Sequence, residues 1–390
     1  MNIDWGQSFN FLPVPTDIHF GCGMLSSLPV HVRTLGGRRA FVVTDPGVRA
    51  AGIVDRLTAV LERESIDFAV YDQVTADSGS TLISEAVEEL KGSGAEVIVG
   101  IGGGSALDTA KAVAALATNP GSPLDYVGLH KVTVPSLPFI AIPTTAGTGS
   151  EVSLWSVFTD DARKLKVAIG GVRLFPAVAL CDPDLTLELP SALTASTGMD
   201  ALAHAVECYT NDACQPISGA LALRAIELIG THLRRAALNG RDRQSRYAMM
   251  LASTMAGVAM NSTRLGLAHA LAMPLGSGDL KIPHGVAVAV ALPAVMQFNC
   301  TAAPNRFAAV ARALGERVED ASPLEAAARA AAAVRRLADD VDIPMHLSGF
   351  GLKEEHVSTV VEEAMKSGNV AVNPRRTTPQ ELSRILGSIV

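Results

Sequence analysis

The stretch AEVIVGIGGGSALDTAK constrains this chain more than any other. Successive side chains of a strand point to opposite sides, so the near-continuous apolar run Val97 to Ile101 must be covered on both faces. Gly102, Gly103 and Gly104 end the run, and SALDTAKAVAALATN continues at helical spacing. The same alternation recurs around it. RRAFVVTDPG reads as strand and turn, AGIVDRLTAVLERE as an amphipathic helix, DFAVYDQV as a strand and STLISEAVEELKGSG as a helix, with further strands in PFIAIPTT and VALCDP. Strand, helix, strand at this spacing predicts a parallel sheet with crossover helices, an α/β fold.

After about Pro190 the pattern changes. ALTASTGMDALAHAVECYT, GALALRAIELIGTHLRRAAL and SPLEAAARAAAAVRRLADD are Ala- and Leu-rich at helical spacing, with few strand signals. The boundary is placed in DPDLTLELPS, giving an α/β domain over 1–188 and an all-helical domain over 189–390. The Ala-rich run Ala326–Ala333 has flanking charges and reads as an ordinary helix.

A net charge of −7 argues against nucleic acid or an anionic membrane as the main partner, without excluding a small anionic substrate. The beginning, MNIDWGQSFNFLP, lacks the basic and apolar regions of a signal peptide. The longest apolar run, near Val286–Met296, is too short to span a bilayer. Cys22, Cys181, Cys208, Cys214 and Cys300 form no Cys-x-x-Cys pair and are expected to be free thiols, so a cytoplasmic protein is expected.

Two features carry chemistry. In GMDALAHAVE, Asp200 and His204 stand at i and i+4, on one face of a helix, where both side chains reach one ion. His269 in LGLAHALAMPLG and His284 in KIPHGVAVAVALP follow in apolar surroundings. One hard oxygen and three imidazoles suit iron(II) or zinc. A carboxylate at Asp200 among Met199, Ala201 and Leu202 is costly to bury without a cation. Glu207 either orients one of these ligands or is a solvated or capping carboxylate.

The second feature is a pair of turns. GIGGGS is either a pyrophosphate cradle at a helix N-terminus or a tight strand-to-helix turn. Ser105 and Asp108 have capping-box spacing, which predicts a capped helix. PTTAGTGSE offers the hydroxyls of Thr144, Thr145 and Thr148 at a strand's carboxyl end, where open parallel sheets bind ligands. Asp45 ends AFVVTD; it either holds a ribose 2′-hydroxyl, favouring NAD over NADP, or is a turn residue in Asp-Pro-Gly.

FGCGMLSSLP, VVTDPG, GGGSALDTAKA, PTTAGTGSE, LCDPDLT, GMDALAHAVE, IPHG and NPRRTTPQEL, in that order, resemble the iron-containing (group III) alcohol dehydrogenases, relatives of glycerol dehydrogenase and dehydroquinate synthase. The resemblance implies an active site in a cleft between an α/β dinucleotide-binding domain and a helical domain. It implies a metal on Asp200, His204, His269 and His284, and NAD on Asp45, Gly103, Gly104, Ser105, Asp108, Thr144, Thr145 and Thr148. Lys166 in KLKVAIGG corresponds to a lysine beside the nicotinamide ribose. It further implies a small alcohol or aldehyde as substrate and a homodimer or larger assembly.

Two departures matter. Many members carry a second histidine four residues after the third ligand, where Met273 stands here. Arg264 stands before LGLAHA where a small residue is common, and the slightly lengthened segment to His284 carries Lys281. Both cations either face an anionic substrate group (phosphonate, sulfonate or carboxylate) or are surface charges. The expected function is NAD-linked interconversion of a primary alcohol and its aldehyde. The rivals are a generalist alcohol dehydrogenase, a dehydroquinate-synthase-like lyase, and a non-catalytic protein retaining metal and nucleotide.

Overall fold

The computed structural model describes residues 8–390, so part of the N-terminal stretch read above for a leader lies outside the described residues. The chain forms two compact units, Val14–Leu189 and a helical unit of Pro190–Val390 together with residues 8–13. The first unit holds β1 (Asp17–Phe20), β2 (Arg39–Val43), β3 (Asp67–Tyr71), β4 (Val97–Gly102), β5 (Gly128–Leu129), β6 (Phe139–Pro143), β7 (Trp155–Asp160), β8 (Leu165–Gly170) and β9 (Val178–Cys181). Its helices are α1 (Leu28–Thr34), α2 (Pro46–Ala50), α3 (Ile53–Arg63), α4 (Ser80–Ser93) and α5 (Gly104–Leu116).

Six strands form one parallel sheet in the order β1-β9-β6-β4-β2-β3. Alternation assigns each strand to two cores. Phe41 and Val43 of β2, Ile98 of β4 and Phe139 and Ala141 of β6 face one core with α4 and α5. Ala40 and Val42, Val97 and Val99, and Ile140 and Ile142 face the other with α1 and α3. On α3, Ile53, Val54, Leu57 and Leu61 are buried at helical spacing, each contributing roughly 1.5–3 kcal/mol.

Two features of this unit differ from the sequence reading. Strand β1 escaped it because DIHF is half exposed at a sheet edge and lacks an apolar run. The antiparallel hairpin β7–β8, with β5 a small second sheet, escaped it for the same reason.

The helical unit contains α6 (Ser191–Thr210), α7 (Pro216–Leu238), α8 (Arg243–Thr263), α9 (Leu267–Leu275), α10 (His284–Asn299), α11 (Pro304–Ala313), α12 (Pro323–Asp340), α13 (Val357–Met365) and α14 (Pro379–Gly387), and residues 190–390 contain no strand. The Ala-rich run lies in α12, started by a capping box between Ser322 and Glu325 and buried along Ala326, Ala327, Ala330, Val334 and Leu337. The sequence boundary had assigned everything before 189 to the α/β domain. Residues 8–13 belong instead with the helices, where the Leu12 amide donates to Ser262 Oγ of α8 at 2.9 Å. All five cysteines are free, and no helix among the described residues is long and apolar enough to cross a membrane.

Leu57 is fully buried between α3 and the sheet. Leu57→Ala is expected to cost about 2–5 kcal/mol in denaturant unfolding; a loss below about 1 kcal/mol would mean that α3 is not packed as described.

Candidate active site

Three elements of the helical unit converge on one point. α6 carries Asp200 and His204 and is buried on every side from Gly198 to Thr210, which accounts for its near-uniform apolarity. α9 carries His269, and His284 is the first residue of α10, just after Pro283. Gly285 permits this approach: a Cβ there would lie 2.6 Å from the backbone oxygen of Ser196 on α6. A side chain at 285 would therefore push the start of α10, and with it His284, away from Asp200.

One ligand atom each from Asp200, His269 and His284 lies within 4.8 Å of the others. Asp200 Oδ1 is 3.4 Å from His269 Nε2 and 3.7 Å from His284 Nε2. Asp200 Oδ1 and His269 Nε2 are buried and lack hydrogen-bond partners. A buried acceptor and a buried imidazole nitrogen left so, side by side, fit a divalent cation that both ligate. His204 stands beside them, its ring stacked on that of His269 at 4.5 Å between centroids, and is outside the mutual 4.8 Å set. The i,i+4 spacing brings it to the same face as Asp200, whose carboxylate it helps to hold charged.

Glu207, one turn past His204, holds the His269 ring. Its Oε2 lies 2.6 Å from His269 Nδ1 and accepts from the Gly266 amide at 2.8 Å, while Oε1 accepts from the Ala268 amide at 2.7 Å. With Nδ1–H donating to Glu207, Nε2 is left facing Asp200. Burial disfavours the charged form of Asp200, yet His204, His269 and His284 hold its carboxyl well below the usual carboxylate range. Burial likewise opposes a charge on His269, but Glu207 and Asp200 outweigh it and push its pKa up to about 9.

The dinucleotide candidates collect at the carboxyl ends of the central strands. The chain runs from β2 to β3 on one side and returns to β4 on the other, so β2 and β4 flank the point where the strand order reverses. Asp45 follows β2 and caps α2, its Oδ1 accepting from the Val48 amide at 3.0 Å. Its Oδ2 faces β4, 3.1 Å from where a Cβ on Gly102 would stand. Thus Asp45 is a turn residue with its second oxygen directed at the glycine turn.

The predicted capping box does not form. The helix starts at Gly104 with Gly103 as its N-cap, and no side chain caps it. Ser105 therefore lies inside the first turn, where its Oγ faces the Asp77 amide at 3.4 Å. Asp108 binds Ser150 and Val157 instead. An uncapped helix start behind glycines suits a pyrophosphate. Thr145 and Thr148 lean over it: Cβ atoms on Gly103 and Gly104 would meet their methyl groups at 3.4 and 2.7 Å. Thr144 is buried beneath, its amide donating to Gly102 O at 2.9 Å. Lys166 on β8 is half-buried, its side chain covered and its Nζ 2.6 Å from Asp77 Oδ1, a partner the sequence did not reveal because it lies on a distant loop.

Arg264 and Lys281 are both exposed, with φ of 61° and 45°. The Arg264 guanidinium lies against Gly368. Met273 is half-buried on α9, one turn past His269.

With this geometry in place, comparison with known proteins gives the family. The iron-containing alcohol dehydrogenase profile matches residues 15–183, and that of the C-terminal region of the Fe-containing alcohol dehydrogenase family matches 194–390. This chain belongs to the iron-containing alcohol dehydrogenases. It is 40% identical over 381 residues to the 1,3-propanediol dehydrogenase of Klebsiella pneumoniae, covering 97% of this chain and 98% of that one. The crystal structure of a 1,3-propanediol oxidoreductase superposes with a TM-score of 0.95 at 39% identity, covering 98% of this chain and 100% of that one. The sulfoacetaldehyde reductase of Bifidobacterium kashiwanohense in complex with NAD+ gives 0.88 at 30% identity, covering 98% and 99%. The chain is accordingly an NAD-dependent alcohol dehydrogenase.

Glu207→Gln keeps the side chain's shape and removes its charge. It is expected to weaken iron(II) binding about 10–100-fold in chelator competition; unchanged affinity would show that Glu207 does not orient His269. In metal-free protein, His269 titrates above its unfolded value of 6.5, at about 9. The stability it contributes is full below pH 6.5 and is lost as pH rises through about 9. Thermal scans of metal-free protein should show a falling Tm across that window, with a smaller fall in Glu207→Gln.

Proposed function

We propose that this dehydrogenase interconverts a short primary alcohol and its aldehyde, acting in the cell as an NADH-dependent reductase of aldehydes bearing a carboxylate, sulfonate or phosphonate. The observation that carries the chemistry is the cluster of buried Asp200 and His269 with half-buried His284, and Glu207 behind it. Iron(II) or zinc held by Asp200, His204, His269 and His284 would act as a Lewis acid on the substrate oxygen. Asp45, Gly103, Gly104, Ser105, Thr144, Thr145 and Thr148 would hold NAD, and Lys166 would orient the nicotinamide ribose. Met273 has no proton to give, so proton transfer at the substrate oxygen would fall to water or to a bound nicotinamide ribose. We place the working form as a cytoplasmic homodimer or larger assembly.

The anionic preference is supported by the backbone at Arg264. Its φ of 61° and ψ of −169° lie in a region essentially reserved for glycine, at a cost of about 1–3 kcal/mol. Asn211 sustains it, its Nδ2 donating to the carbonyls of Thr263, Arg264 and Leu265 at 3.1, 3.3 and 3.4 Å. A cation kept where glycine is cheaper implies use of its side chain. A sulfonated aldehyde is the substrate named for one structural relative.

Initial rates of NADH oxidation by iron-loaded protein, on matched neutral and anionic short aldehydes, test both levels. A preference for the anionic set that Arg264→Gly abolishes, with Tm unchanged or higher, is the expected result. Equal rates on both sets would make the enzyme a generalist. NADH oxidation with neither set would overturn the reductase reading.

A further inference from the structure

We infer that Asp108 and Lys111 are positioning residues for the dinucleotide, a buried ion pair that sets the spacing of the two cofactor turns from behind. The inference rests on the dinucleotide reading above. It gives Asp108 a different task from the cofactor contact implied by resemblance, and it gives Lys111 a first one.

Both residues stand on α5, which the first turn opens, and both reach the segment Ser150–Val157, which the second turn enters. Asp108 Oδ1 accepts from Ser150 Oγ at 2.5 Å, and its Oδ2 accepts from the Val157 amide at 2.9 Å. Its backbone carbonyl accepts from Ser156 Oγ at 2.7 Å. One turn on, the Lys111 side chain has no exposed surface. Its Nζ donates to Ser153 Oγ at 2.9 Å and to the Trp155 carbonyl at 2.7 Å, and it stands 3.6 Å from Asp108 Oδ1. Ser150, Ser153, Trp155, Ser156 and Val157 are thus tied to a single helix.

The consequence falls on Thr144–Gly149. That turn is held at its start by the Thr144 amide on Gly102 O, next to the sheet. At its end it runs directly into Ser150, the first residue that Asp108 grips. Between these anchors Thr148 packs so closely on Gly104 that no Cβ fits there. Room for a phosphate between the turns therefore depends on where Ser150–Val157 sits. Burying an ammonium is expensive, and burial pulls Lys111 down to about 8 against the opposing pull of Asp108 and of Glu151, itself buried in the same segment. A methionine would fill this volume without that cost. The charge is explained by two hydrogen bonds and an ion pair that a methionine cannot make.

The test compares the wild type with Lys111→Met, Asp108→Asn, the double variant and Ser153→Ala, all iron-loaded. NADH affinity is read by fluorescence titration, together with KM for NADH, kcat, iron content and Tm. Both charge variants should weaken NADH binding about tenfold or more, the double variant no further than the worse single, because one brace is lost once. Ser153→Ala removes a single partner of Lys111 and should weaken binding about two- to fivefold, which keeps the test open if Lys111→Met does not fold. In each variant kcat at saturating NADH and iron content should stay at the wild-type level, a split that general destabilisation does not produce. Loss of affinity in Asp108→Asn with none in Lys111→Met or Ser153→Ala would make Asp108 a direct contact and overturn the inference. Unaltered affinity throughout would overturn it as well. Failure of the wild type to bind NADH would overturn it together with the dinucleotide reading, and is distinguishable because the unsubstituted protein itself fails.

Discussion

The buried carboxylate of Glu207 does three jobs in the helical unit. It accepts from the Gly266 and Ala268 amides, so it satisfies and electrostatically matches the N-terminus of α9, which no side chain of its own caps. It accepts the Nδ1 proton of His269 and so decides which imidazole nitrogen faces Asp200. It also ties α9 to α6 close to the ligand residues. Removing it would leave two orphan amides and a histidine free to turn, all at buried positions.

Around that contact the two units divide the chemistry by their construction. A parallel sheet covered on both faces has nowhere to place ligand groups except the loops beyond its carboxyl ends, which is where Asp45, the glycine turn and the threonine turn lie. A helical unit can bury ionisable groups, provided that helices approach closely. Gly285 against Ser196 is one such approach, and Gly266 beside Glu207 is another. Small residues here act by what they omit.

The parallel sheet and the helical second half were legible because they rest on periodicity over long segments, as in IVDRLTAVLER and its buried stripe. Strand β1 and the β7–β8 hairpin were not, since short half-exposed strands carry a weak pattern. At the site, residue type and spacing were enough to single out Asp200, His269 and His284. The stacking of His204 on His269 is a matter of side-chain torsion, which spacing does not report. The role of Glu207 stayed open because a carboxylate near a helix end is equally at home in solvent. Lys111 was invisible as a buried cation: on an alanine-rich helix a lysine ordinarily marks the wet face, and only the tertiary position of Ser153 and Trp155 makes it otherwise.

The helical unit is assembled from both ends of the chain, with Leu12 bonded to Ser262 across 250 residues of sequence. The α/β unit, by contrast, is one uninterrupted stretch from Val14 to Leu189. During synthesis that stretch is complete while His269 and His284 have yet to be made, so the α/β unit can fold on the ribosome ahead of the helical one. Asp200, His269 and His284 are drawn from helices whose unit must also recapture residues 8–13, a loop closure of high sequence separation. The order of events is thereby written into the connectivity: the parallel sheet first, the Asp200–His269–His284 cluster afterwards.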